Sequence, residues 1–139
     1  MSGKLSSMEK GIKTPSSAKK GAVGAIIAIL IVTVLEFQPP IGFESRPQTN
    51  VSIFWLFYFL AILITEVTAI RLILKRPALG WMFGIAAGIL NIFQVIADQT
   101  HLMQPEVVPI GYSALEGLVV IASLVLIYFS LKIQAGSNG

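Results

Sequence analysis

In 139 residues the chain carries 55% apolar side chains, only 12% charged ones and a net charge of +3. A core that small cannot hide so much apolar surface from water, which excludes an ordinary soluble domain and points to lipid as the solvent. The lysines and arginines gather in patches beside the apolar runs instead of forming a stripe, so no nucleic-acid partner is expected. The absence of cysteine excludes disulfides, thiolate metal sites and a thiol nucleophile.

Residues 1–20 set Lys4, Lys10, Lys13, Lys19 and Lys20 among serines and glycines with Glu9 the one acid, and predict a disordered basic tail. A first apolar run covers residues 21–37 and would span about 25 Å as a helix. Glu36-Phe37-Gln38-Pro39-Pro40 follows it without a small-residue cleavage pattern, so it reads as a retained span and not as a secretory leader. The second run, 51–74, ends in Arg71, Lys75, Arg76 and Pro77, and a tight turn at Pro77 leads into the third, 79–97. A polar loop, 98–109, precedes the fourth run, 110–131, and residues 132–139 form a short tail beginning with Lys132. Residues 21–131 are therefore expected to be one all-α integral membrane domain, an antiparallel bundle of four transmembrane helices. Short loops favour the neighbouring pairs first–second, second–third and third–fourth.

Lysine and arginine in short loops resist translocation, so their distribution predicts orientation. With both termini cytoplasmic, the five N-terminal lysines, Arg71, Lys75, Arg76 and Lys132 lie inside and Arg46 alone lies outside. Trp55 and Tyr112 then fall near the outer interface, and Trp81 and Tyr128 near the inner one. The location expected for such a chain is the plasma membrane. Asn50-Val51-Ser52 matches a glycosylation acceptor but abuts the membrane, where a transferase reaches poorly.

Gly80, Gly84 and Gly88 recur at every fourth position and share one helix face, where a neighbouring backbone can approach closely. Gly21, Gly24, Ala25 and Ala28 suggest a similar small face on the first helix. Toward the outer side the third helix continues with Asn91, Gln94, Asp98 and His101, at spacings that turn all four one way. Lipid cannot be that direction, because each unpaired polar group there would cost several kcal/mol.

Three further acids interrupt the spans: Glu36, Glu66 and Glu116. At about 1.5 Å per residue, Glu116 and Gln94 lie roughly 6 Å outside the midplane, Glu36 and Asp98 lie closer to the outer surface, and Glu66 lies roughly 6 Å toward the cytoplasm. The outer four are at heights that allow them to converge. Arg71 follows Glu66 by five residues and points about 140° away, a poor geometry for an ion pair. A buried carboxylate without a cation either takes up a proton, recruits a cation, or is completed by another chain. The plainer alternatives are that Glu66 and Glu116 are neutral acids hydrogen-bonded to backbone or to Asn91, Gln94, Thr65 or Ser113, and that Glu36 and Asp98, each within a turn or two of a polar loop, are interfacial. His101 with Asp98 and Glu36 is the weak candidate for a metal site facing outward.

The stretch Phe59-Leu60-Ala61-Ile62-Leu63-Ile64-Thr65-Glu66-Val67 resembles the glutamate-bearing helix of small multidrug-resistance transporters. In that family one membrane glutamate alternately binds protons and cationic drug, which implies a titrating role for Glu66. The likeness covers about one helix, falls on the second span instead of the first, and leaves the polar stripe of the third without a counterpart. The plan of the chain also resembles four-span accessory subunits of respiratory or monooxygenase complexes. Two functions are thus expected: a non-catalytic accessory or assembly subunit of a larger membrane complex, or a small proton- or cation-coupled transporter using Glu66 and Glu116, with Asn91 and Gln94 along its path. The partners expected are the bilayer and other membrane subunits or further copies of the chain. With no nucleophile beside a base and no histidine cluster, neither a cofactor nor catalytic activity is expected.

Overall fold

The computed structural model describes residues 16–36, 52–103, 108 and 110–138, and their regular elements are all α-helices. In chain order these are α1 Ser16–Glu36, α2 Ile53–Lys75, α3 Pro77–Gln99 and α4 Ile110–Asn138. Each is long and apolar enough to cross a membrane, the 23-residue α2 and α3 reaching about 35 Å against a hydrocarbon layer of about 30 Å. Residues 1–15, Phe37, Arg46, Asn50, Val51 and Gly139, on which parts of the tail, span-end, orientation and glycosylation readings rest, lie outside the described residues.

Two helices outrun the apolar segments that announced them. α1 begins at Ser16, within the stretch read as tail, because Ala18 finds a packed position there and is 1% exposed. α4 continues past residue 131 to Asn138, because Ile133 repeats the seven-residue step from Leu126 and is fully buried. Between α2 and α3 the turn has a single non-helical residue, Arg76, which caps both helices, and Pro77 enters at the start of α3, where its missing N–H costs nothing.

Buried positions on α4 run Tyr112, Glu116, Val119, Ser123, Leu126, Ser130 and Ile133, in alternating steps of four and three. Ile62, Glu66, Ala69 and Ile73 do the same on α2, as do Ala18, Ala22, Ala25 and Ile29 on α1. This is the spacing of helices that pack along narrow seams at shallow crossing angles. Large side chains outside these seams, such as Ile31, Ile53, Phe54, Phe57 and Ile121, are exposed, as a lipid-facing surface requires.

The helices follow one another around the bundle as α2, α3, α4 and α1, with α1 touching α2 only sparingly. The expected neighbour pair of first and second spans is thereby replaced by first and fourth. The connection from α1 to α2 covers residues 37–52 and, unlike the one-residue link at Arg76, does not force its two helices together. On α1 the small face is also rotated from the one expected. Ala22 and Ala25 are buried and Gly21 lies against the Phe129 ring, whereas Gly24 has nothing within 4 Å and Ala28 is exposed. A 3.6-residue repeat puts Gly24 about 100° around from Ala25, and the seam follows the alanines.

The glycine face of α3 packs inside the chain. A Cβ on Gly80 would collide with the backbone of Ile73, lying 2.6 Å from its Cα. At Gly84 it would meet the Ser130 hydroxyl and the Ile73 side chain, and at Gly88 the Ile127 side chain at 2.6 Å and the Ser123 carbonyl at 3.0 Å. The same three residues therefore let α3 close on α2 at one end and on α4 along its length.

Candidate functional site

Asn91, Gln94 and Asp98 project from α3 at helical spacing and are 3%, 7% and 1% exposed, so the stripe turns inward to protein. It serves two polar centres about 10 Å apart along the helix. At the first, Asn91 Nδ2 donates to Glu66 Oε1 at 2.8 Å and to the Ala87 carbonyl at 2.9 Å, which uses both of its hydrogens. Glu66, 2% exposed, thus finds its donor on the neighbouring helix. Removing that donor should be costly: Asn91→Leu is expected to destabilise the fold by about 1–3 kcal/mol. Adding Glu66→Leu should recover most of the loss, because both polar partners are then gone. Unfolding of the two variants and the single Glu66→Leu in mixed micelles closes that cycle, and additive losses would show that the pair is not coupled.

The second centre joins three helices. Gln99 Nε2 donates to Glu116 Oε2 at 2.6 Å and to the Ser113 hydroxyl at 3.0 Å, clamping the end of α3 onto the first turns of α4. The Asp98 carboxyl comes within hydrogen-bonding range of Glu116, and Glu36, from the last turn of α1, lies within electrostatic range of it. All three acids are buried, Glu116 completely. Its Oε1 receives no N–H or hydroxyl donor among the described residues. Two carboxyl groups can hydrogen-bond to one another only when a proton sits between them. The described lysines and arginines are remote: Lys20 on α1 and Lys132 on α4 are each about 24 Å along their helices from Glu36 and Glu116.

Of the predicted site residues, Asp98 and Glu116 thus come together with Glu36 in electrostatic range, Glu66 and Asn91 form a separate pair, and Gln94 is buried between the two centres without joining either hydrogen-bonded set. His101 leaves the stripe. α3 ends at Gln99, and His101 adopts φ 63° in a capping turn where its N–H meets the Asp98 carbonyl and the Leu102 N–H meets the Ala97 carbonyl. The helical spacing therefore stops before His101, whose side chain is exposed. Among the described residues no three of His, Asp and Glu are arranged to hold a metal ion.

Three participants escaped sequence reasoning. Gln99 lies one position past Asp98 and bridges to α4 only because the helices cross there. Ser123 and Ser130 are fully buried with hydroxyls that have no partner among the described residues. Their steps of seven from Glu116 were visible and would have placed them on its face. Around the Glu66 pair the packing is tied by Tyr58, whose hydroxyl donates to the Leu90 carbonyl at 2.7 Å and whose ring meets Phe93 at 5.9 Å. Trp55 and Tyr112 are buried, 7% and 5% exposed, and act in the packing of that end.

Glu116, with Gln99 and Asp98 from α3 and with Glu36 of α1 in electrostatic range, is thus the centre of a polar cluster drawn from three helices. No protein-family model, curated protein or solved structure matches the chain.

Proposed function

We propose that this chain is a small proton-coupled transporter of the plasma membrane, with Glu116, Asp98 and Glu36 as its proton-exchanging site. The observation that carries the reading is Glu116 itself, a fully buried acid on α4 with the Asp98 carboxyl in hydrogen-bonding range and Glu36 in electrostatic range. A buried carboxyl group in such company can take up a proton and give it back, which is the chemistry that proton coupling needs. Toward the opposite end the seam between α3 and α4 holds two buried hydroxyls, Ser123 and Ser130, the latter beside Gly84. Glu66 with Asn91 stands between the two ends and is the second proton-binding group in this reading.

The bundle is taken to be antiparallel with both termini cytoplasmic. Contacts between α2 and α3 run in opposite senses, Tyr58 with Leu90 and Ile73 with Gly80, which supports the antiparallel arrangement. The charge bias of the loops supports the orientation.

The accessory-subunit reading is retained because Gly24 and Gly117 sit on outward faces with nothing within 4 Å, and because α1 and α2 leave one side of the bundle loosely closed. A neighbouring helix would fit there. Extraction in mild detergent, native sizing and identification of co-migrating chains separates the two. Migration alone or as its own oligomer, with proton flux after reconstitution, supports the transporter; stoichiometric migration with a larger complex and no flux supports the subunit. In reconstituted vesicles Glu66→Gln should slow coupled flux severely, and wild-type flux from that variant would remove Glu66 from the mechanism.

A further inference from the structure

At the end of the bundle opposite the acids, Arg71, Leu72, Lys75 and Arg76 line a half-open cavity of about 300 Å³. That is the lower end of small-molecule site volumes, about 300–1,000 Å³. Arg71 and Lys75 are one helical turn apart on the same face of α2, and Arg76 is the single residue of the turn to α3. Their charged groups make no ion pair or side-chain hydrogen bond with another described residue. Like charges four residues apart on a helix repel, and this pair gains a third cation beside it. The helix dipole favours Lys75 in the last turn, and the bias toward cytoplasmic cations favours a basic turn, but neither requires three cations around one concavity. Ile73 and Leu74 separate them along the chain, so the cavity opens at the height where an apolar span meets the headgroup layer.

We infer that this cavity binds the phosphate group of an anionic membrane lipid, with Arg71 and Arg76 as forked donors, Lys75 as a point charge and Leu72 as the apolar floor beneath the headgroup. Guanidinium groups match phosphate oxygens two at a time, and a shared anion turns the repulsion among the three cations into attraction. The inference is independent of the proton-exchange reading, since it uses none of the same residues.

The test is native mass spectrometry of the full-length protein released from nanodiscs made of phosphatidylglycerol and phosphatidylcholine in equal parts. The wild-type chain should retain phosphatidylglycerol preferentially. The triple variant R71Q/K75Q/R76Q should lose that preference, by on the order of a hundredfold in affinity, as about 1 kcal/mol per cation implies. The control K19Q/K20Q/K132Q removes as many cations from the other helices and should keep the preference. Equal loss in the control, or no preference in the wild type, would overturn the site. Should the triple variant fail to fold, R71Q alone must lower retention, and unchanged retention would also overturn it. Displacement of the lipid by millimolar inorganic phosphate would assign the cavity to free phosphate and overturn the lipid assignment.

Discussion

Gly80→Leu is expected to prevent normal assembly of the bundle, whereas Gly24→Leu, the same change on another span, is expected to leave it intact. At Gly80 the first added carbon would already overlap the backbone of Ile73, and backbone cannot rotate out of the way as a side chain can. The turn makes the clash harder to relieve. Only Arg76 separates α2 from α3, so neither helix can slide without breaking the Arg76 N–H bond to the Leu72 carbonyl. A leucine there should cost about 3 kcal/mol or more, at or beyond the top of the range for overpacking. Gly24 has open space around it, and its replacement should be neutral or gain up to about 1 kcal/mol of helix propensity. Gly84→Leu should fall between them, since it meets the ends of the Ser130 and Ile73 side chains, which can move. Reversible unfolding in mixed micelles ranks the three, and an equal loss at Gly24 and Gly80 would refute the packing of α3 on α2.

Glu116→Gln should abolish proton flux while leaving the fold in place. A glutamine amide is nearly isosteric with the carboxyl group; its oxygen can still accept from Gln99, and its amide can donate to Asp98, so the hydrogen bonds of the junction survive. Stability should change by less than about 1 kcal/mol. What the amide cannot do is bind and release a proton between two carboxyl groups. Vesicles carrying the variant should therefore show the flux of protein-free vesicles, and the infrared carbonyl band of protonated carboxyl groups should shrink relative to wild type. Unaltered flux with a diminished band would show that Glu116 holds a proton but does not transfer it. Glu116→Leu is the contrasting variant: it leaves the Gln99 amide with Ser113 alone and should loosen the contact of α3 with α4 as well.

The asymmetry between the two centres has a structural source. Glu66 sits on α2, which meets α3 through an almost seamless turn, so its donor on α3 follows from local geometry once that turn is formed. The Glu116 centre instead draws on α1, which packs mainly against α4 and only sparingly against α2. Its integrity is therefore the more sensitive to changes on α1, and the Gly21 contact with Phe129 is part of what holds that helix in place.

By itself the sequence determined the class of the molecule, its four span-length helices and the inward turn of Asn91, Gln94 and Asp98, because run length and the 3.6-residue period are local properties of a chain in lipid. It also marked Glu36, Glu66 and Glu116 as needing partners, since a charged group in an apolar span is costly wherever it stands. Which partner each received was decided by tertiary structure alone. The pairing of α1 with α4, the rotation that buried Ala25 and exposed Gly24, the reach of Gln99 to Glu116 and the departure of His101 from the stripe depend on helix order and axial rotation. Those are set by contacts between residues far apart in the chain, where periodicity fixes a direction on one helix but not what stands opposite it.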